Sequence, residues 1–256
     1  MTKRRRLGEL RIGTSGWSYA HWRGGFYPPG LPSKAWLAFY AERFDTVEIN
    51  GSFYRMPKEA AVTGWHERSP DGFLFAWKAS RYITQAKRLK DAADPLAYVL
   101  GRASGLKKKL GPILFQLPPQ MRRDEARLAE FLGLLPKTHR FCVEFRDPGW
   151  YASGVLRLLA DHGVALCVSD HHAAPAPPEA TADFVYVRLH GPGGRYFGRY
   201  PDGELAVWAE RIAAWRSEGR DIFAYFDNDI EGAAPLDAAA LRSRLLGAGH
   251  SERARA

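Results

Sequence analysis

Residues 46–55 read TVEINGSFYR. From Thr46 to Asn50 the side chains alternate, Val47 and Ile49 pointing to one side and Thr46, Glu48 and Asn50 to the other. That is the period of a short β-strand. Apolar residues on one face and a carboxylate plus an amide on the other imply that the second face lines a site. Gly51 and Ser52 break the strand, and Phe53, Tyr54 and Arg55 are expected on the loop that follows.

The same design recurs along the chain. Arg11 to Thr14 is a first strand ending in TSGW; residues 73–79, FLFAWKA, set Phe73, Phe75 and Trp77 against Ala76 and Lys78. Ile113 to Leu117 is a fourth strand, stopped by Pro118 and Pro119. Phe141 to Arg146, Val164 to Ser169, Phe184 to His190 and Ile222 to Asp227 complete eight. Apolar residues at helical spacing fall between them: Trp36, Leu37, Tyr40 and Phe44 behind a Ser33 cap, Val62 and Trp65 in a helix from about Lys58, and further runs starting at Asp94, Asp124 and Ser153. Leu205 to Trp215 and Leu241 to Leu246 supply the last two, while the Pro/Ala-rich stretch Ala173 to Asp183 reads as an irregular connection. Eight strands alternating with about seven helices predict a single-domain (β/α)8 TIM barrel over residues 10–247, with a basic tail at 1–9 and a disordered tail at 248–256. An open doubly wound sheet permits the same alternation, but no G-x-G-x-x-G follows strand one.

Composition narrows the class further. At 46% hydrophobic and 13% aromatic the 256-residue chain has ample core material. No apolar run approaches the roughly 20 residues that cross a bilayer, no secretory h-region follows the basic N-terminus, and a cytoplasmic location is expected. Two cysteines, Cys142 and Cys167, lie in apolar strands and suggest neither a disulfide framework nor a zinc cluster. The net charge of +9 is compatible with an acidic partner, although Lys3 to Arg6, Lys107 to Lys109 and Arg253 to Arg255 read equally well as solvated runs.

The stretches IGTSGWSYAHWRGGFYP, VEINGSFYRMP, FAWKAS, FQLPP, EFRDPGW, YVRLHG and FDNDIEGAAPLDA together resemble the YecE-like family, domain of unknown function 72. The likeness covers roughly residues 10 to 247 and implies a TIM barrel with no assigned reaction. More distantly the family resembles the barrel superfamily of apurinic endonucleases and xylose isomerases. Where many members carry an Asn pair after strand eight this chain has Asp227 and Asn228, and Asp237 replaces a common Asn. An Asp cannot donate the amide hydrogen bond.

Barrel enzymes keep their reactive groups at the C-terminal strand ends and following loops. That rule collects Ser15, Trp17 and Tyr19 from the first loop, and Glu48, Asn50, Phe53 and Tyr54 from the second. Lys78, Gln116, Glu144, Arg146, Asp170, Arg188, His190, Asp227 and Asn228 follow from strands three to eight. Glu48 and Glu144 are the general acid/base candidates; the alternative is an interior network pairing them with Lys78, Arg146 or Arg188. Lys78 is a Schiff-base nucleophile or a salt-bridged clamp. His190 is a proton shuttle or a metal ligand, a single divalent cation with Glu144 or Asp170 being compatible and a multi-zinc site not, since the strand ends offer one His. In the loop GPGGRYFGRY, Gly193 and Gly194 are expected to let backbone N–H groups reach an anion that Arg195 and Arg199 pair with, beside Tyr196. Trp22 and Trp150 are assigned to packing. The leading expectation is a hydrolase or isomerase acting by carboxylate chemistry on a phosphate-bearing small molecule. A nucleic-acid-binding barrel without chemistry and a carbohydrate-processing barrel without phosphate recognition are the alternatives, and no resident cofactor is required by any of them.

Overall fold

Each strand expected from alternation forms. The computed structural model of the chain describes residues 6–253. Its strands are β1 (Leu10–Thr14), β2 (Thr46–Ile49), β3 (Leu74–Lys78), β4 (Leu110–Gln116), β5 (Phe141–Glu144), β6 (Ala165–Ser169), β7 (Phe184–Leu189) and β8 (Asp221–Phe226), all parallel, in the order β1-β8-β7-β6-β5-β4-β3-β2. The helices are α1 (Trp36–Ala41), α2 (Gly51–Tyr54), α3 (Glu59–Arg68), α4 (Ala93–Ala103), α5 (Glu125–Gly133), α6 (Ser153–His162), α7 (Asp202–Ser217) and α8 (Ala233–Arg253). The connection between β6 and β7 carries no helix, as its proline content required. Residues 1–5 and 254–256, parts of the two expected tails, lie outside the described residues, and α8 is continuous through Arg253.

Several local signals play out differently. Phe53 and Tyr54, expected on a loop, belong to the turn of α2. Asp124 caps α5 by accepting from Arg127 N at 3.0 Å, whereas Ser33 and Ser153 cap nothing and Asp94 lies inside α4. Lys109, read as part of a solvated run, is buried, its Nζ donating to His66 O, Ser69 O and Ser69 Oγ at 2.6–3.1 Å.

Alternation divides the apolar side chains into two layers. Val47, Ile49, Phe75, Trp77, Val143 and Val187 face the helices, while Ala76, Leu114, Cys142, Cys167, Tyr186 and Tyr225 fill the barrel. The interior residues are followed two positions later, on the same parity, by Lys78 after Ala76, Gln116 after Leu114, Glu144 after Cys142 and Arg188 after Tyr186. The barrel is therefore apolar low down and charged at its C-terminal mouth.

Closure happens between β1 and β2. At the mouth Gly16 N donates to Glu48 O at 2.8 Å, with Ser15 bridged to Glu48. Lower down the strands touch: a Cβ on Gly13 would come within 2.2 Å of Thr46 O, so only glycine fits. There the Tyr40 hydroxyl from α1 replaces a ladder bond, accepting from Thr14 N at 2.9 Å and donating to Thr46 O at 3.1 Å. Tyr40→Phe leaves both backbone groups unpaired in a dry seam and is expected to lower stability by about 1–3 kcal/mol. A urea midpoint that falls with an unchanged slope is the reading that agrees; no change in midpoint contradicts the role given to this hydroxyl.

Candidate functional site

Arg188, fully buried on β7, is the hub of the mouth. Its Nε and Nη2 grip Glu48 at 3.1 and 2.9 Å, Nη1 reaches Glu144 Oε2 at 2.9 Å, and Nη2 also meets Asp227 Oδ2 at 2.8 Å and Ser15 Oγ at 3.1 Å. Glu48 receives further hydrogen bonds from Ser15 Oγ and, at 2.6 Å, from the Tyr186 hydroxyl. Glu144 Oε1 lies 2.7 Å from Arg146 Nη2, off the N–H direction, so this is a charge contact more than a directed hydrogen bond. The four residues on which the site expectation rested, Glu48, Glu144, Arg188 and His190, thus meet in one cluster.

The charges in that cluster set one another. Burial alone would push the Glu48 and Glu144 carboxyls up; Arg188, Lys78 and, for Glu144, Arg146 more than offset it and hold both below the usual carboxylate range. Both are therefore anions saturated by arginine at neutral pH. Neither is therefore poised to donate a proton at neutral pH. Arg188 shows the reverse balance: burial works against its charge, and Asp227, Glu48 and Glu144 raise it well above the ordinary guanidinium.

His190 is held neutral. Burial, then the charges of Arg188 and Arg146, depress it well below its ordinary value. Its Nε2 lies 3.1 Å from Arg146 Nη2 and 3.2 Å from Arg188 Nη1, groups that only donate, so Nε2 accepts and the proton sits on Nδ1, 3.2 Å from Asp170 Oδ1. A divalent ion on His190 with Glu144 or Asp170 would have to displace two guanidinium groups, and no three His, Cys, Asp or Glu side chains among the described residues are arranged to hold a metal. Asp170 also accepts from His190 N at 2.7 Å and from the Tyr200 hydroxyl; burial raises its carboxyl to about 6 against those bonds.

Lys78 differs from every other buried cation here. Only 4% of it is exposed, yet its Nζ has a single hydrogen-bond partner, the neutral Asn50 Oδ1 at 3.0 Å, and lies 4.4 Å from the centre of the Phe53 ring. No carboxylate of the described residues comes within 4.0 Å of it. Burial and then Arg188 lower its amine to about 8, with Asp227, Glu48 and Glu144 only partly offsetting them. Arg146, which contacts Glu144 and His190, donates to the Tyr196 hydroxyl at 2.7 Å and lies 3.5 Å from Gln116 Oε1, leaving its buried Nε unpartnered. Tyr196 is held in the left-handed region at φ 72°, a conformation that a non-glycine residue keeps only where its surroundings demand it.

The glycine-rich loop is built otherwise than expected. Gly191 N donates to the Tyr200 hydroxyl and Gly194 N to Gly191 O, both at 2.7 Å, while a Cβ on Gly194 would strike Asp170 O at 2.3 Å. These glycines let the loop pack on the segment after β6; two of its amides are already used. Arg199 pairs with Asp237, and Asn228 donates to Gly198 O and Asp237 Oδ2 at 2.8 Å, so both pin the loop from behind. Asp237, buried, only accepts here. Arg195 and Gly193 are exposed and meet nothing in the cluster. Trp22 and Trp150 are core residues, the latter stacked on Phe145.

Trp17, Tyr19, Asn50 and Tyr54 line a cleft of about 840 Å³ beside α2. It is also lined by Lys34, Arg55, Trp65 and Arg68, which the strand-end rule had no means of collecting. Tyr186 was missed as well, although it shares the parity of Arg188 and His190; Tyr200 was expected among the rim aromatics and instead bonds Asp170 and Gly191 N.

The family described as "Protein of unknown function DUF72" matches residues 11–255. The chain belongs to this family. It is 32% identical over 250 residues to the UPF0759 protein YecE of Escherichia coli K12, covering 89% of each chain, and 26% identical to UPF0759 protein YunF of Bacillus subtilis, covering 88% of this chain and 90% of that one. The fold matches a DUF72 protein of Thermotoga maritima with a TM-score of 0.84 at 25% identity, over 93% of this chain and 99% of that one. A DUF72 protein of Enterococcus faecalis matches at 0.79 and 20% identity, over 93% and 95%. Eight parallel strands in a TIM-type barrel are thus the fold of this DUF72 protein, and no helix of the described residues is long and apolar enough to cross a membrane.

Two measurements bear on the cluster. Arg188→Met strands three buried carboxylates and is expected to cost about 3–5 kcal/mol in urea unfolding, against less than about 0.5 kcal/mol for exposed Arg195→Ala. Similar losses for the two variants contradict the hub assignment. His190, depressed in the folded chain, contributes stability that is complete above its ordinary pKa of 6.5 and is lost as pH falls below it. Between about pH 6.5 and 5.5 the parent should lose up to about 1.4 kcal/mol more than His190→Asn. Parallel stability curves for the pair speak against a neutral His190.

Proposed function

We propose that this DUF72 protein is an enzyme acting on a small phosphate-bearing molecule at the barrel mouth, with Lys78 and Arg146 as the groups that contact it. The observation that carries this reading is the incomplete coordination of Lys78. Lys109, equally buried, has three oxygen acceptors for its three N–H donors and needs nothing more. Lys78 has one, and a buried ammonium left short of acceptors is costly to the fold unless a ligand oxygen completes it. Arg146, with an unpartnered Nε, offers a second charge in the same cluster through Glu144.

The same balance chooses between reaction types. Glu48 and Glu144 are paired with Arg188 and shape the field of the site, and in this reading proton transfer falls to another group. Lys78 titrates close to neutral pH, which suits a group that takes and returns a proton at a substrate carbon. Proton transfer next to a carbonyl, the step of an isomerisation, is favoured over hydrolysis, for which a pair of carboxyl groups with separated titrations would be wanted. A second reading, nucleic-acid binding without chemistry, is supported by the cleft beside α2, where Trp17 and Tyr54 lie with Lys34, Arg55 and Arg68.

A thermal-shift panel of inorganic phosphate, aldose phosphates and ketose phosphates tests the proposal. At about 100-fold excess over Kd a true ligand contributes roughly 2.7 kcal/mol, or about 5–10 °C for a chain of this size. The shift should vanish in Lys78→Met, whose own melting temperature stays at or above the parent's because the buried ammonium is removed. An equal shift in parent and variant, or none across the panel, rejects the reading. A steep fall of oligonucleotide affinity with salt, unaffected by Lys78→Met, would favour the second.

A further inference from the structure

We propose that Lys78 is a covalent catalytic residue that forms a Schiff base with a small aldehyde or ketone entering the mouth. The inference rests on the reading of the same site given above and adds the functional group of the substrate: a carbonyl, in addition to an anionic oxygen.

Its placement is that of a nucleophile. Lys78 is the last residue of β3, in register with Leu114 of β4 and with its carbonyl accepting from the Ser52 hydroxyl at 2.6 Å, so its amine is presented from a held strand end at the C-terminal end of the barrel. Nζ touches no carboxylate that would hold its proton; its contacts are one amide oxygen and an aromatic face. The carboxylates and the cation that act on it come from four other strand ends, Glu48 of β2, Glu144 of β5, Asp227 after β8 and Arg188 of β7, and burial with Arg188 outweighs the three anions. An amine brought to about 8 carries on the order of 100-fold more of the free base at pH 7 than an exposed lysine does.

The step balances without any added reagent. The Nζ lone pair attacks the carbonyl carbon, the C=O π pair moves to oxygen, and one amine proton passes to that oxygen to give a carbinolamine. The second amine proton leaves with the hydroxyl as water, forming the C=N bond. Protonated, that imine keeps a positive charge where Lys78 had it, in the field of Glu48, Glu144 and Asp227, and draws electrons from the adjacent carbon. The iminium carries one more heavy-atom bond than the free ammonium and fewer N–H donors, so the missing acceptors at Nζ cease to matter once it forms.

The test uses the intact protein with glycolaldehyde and sodium borohydride, whose hydride reduces an imine irreversibly to a secondary amine, followed by peptide mapping of every lysine. Lys78 is expected to be labelled at least about tenfold faster than exposed Lys34 at pH 7, with the advantage shrinking as the pH approaches the ordinary lysine range. Lys109, buried but fully hydrogen-bonded, should stay unlabelled and reports that the fold is intact. Labelling of Lys78 no faster than Lys34, with Lys109 protected, overturns the proposal. Failure here is distinguishable from failure of the anion reading. Phosphate that shifts the melting temperature through Lys78 while no adduct forms leaves a clamp and removes the Schiff base; rapid trapping that phosphate neither slows nor accompanies with a thermal shift leaves the Schiff base and removes the anion.

Discussion

One guanidinium holds the mouth of this barrel together. Arg188 is wholly buried, and its donors reach Glu48, Glu144, Asp227, Ser15 and His190, residues carried by the ends of β1, β2, β5, β8 and its own β7. Only a planar fork of five N–H groups can serve so many acceptors at once; an ammonium in the same place would leave most of them unpaired. The consequence is electrostatic as much as structural. Two carboxyls are held low, a histidine ring is depressed below its ordinary value, and the C-terminal strand ends are tied to one centre.

With those groups accounted for, what remains is small and specific. The buried cations Arg188, Arg146 and Lys78 stand against the buried anions Glu48, Glu144 and Asp227, so the mouth is close to neutral by itself. Within it the charge is unevenly satisfied: Arg188 is saturated, Arg146 has a spare Nε, and Lys78 has one acceptor. A fold that keeps a buried amine short of partners accepts a loss of stability at that point, and such losses concentrate at sites that bind or react. The contrast with Lys109, where the same side chain is buried and complete, shows that the barrel can satisfy an ammonium when nothing else is asked of it.

The long loop after β7 has a different task from the one its glycines advertise. It folds back over the segment after β6, delivers Tyr196 to Arg146 and Tyr200 to Asp170, and is pinned from α8 by Asp237. Its contribution to the site is two hydroxyl groups and a cover. Asp237 and Asp227 are each met by donors, Asp227 by Arg188 and Asp237 by Arg199, Tyr200 N and Asn228. An acceptor is all that either position requires in this chain.

Alternation of side chains along the strands was enough to establish the barrel, the two faces of every strand and the end at which charge gathers, because a period of two and a C-terminal site are properties of the chain read locally. Glu48, Lys78, Glu144, Arg188 and His190 could be collected in that way from sequence. Their roles could not. Whether Glu48 is an acid or a saturated anion depends on where a side chain 140 residues away points its fork, and whether Lys78 is salt-bridged or short of partners depends on the turn of α2 that brings Asn50 and Phe53 against it. Likewise the glycines after β7 read as an anion loop until the tertiary structure shows their amides bonded within it. Protonation and coordination are set by distances between strand ends far apart in the chain, and only closing the barrel decides those distances.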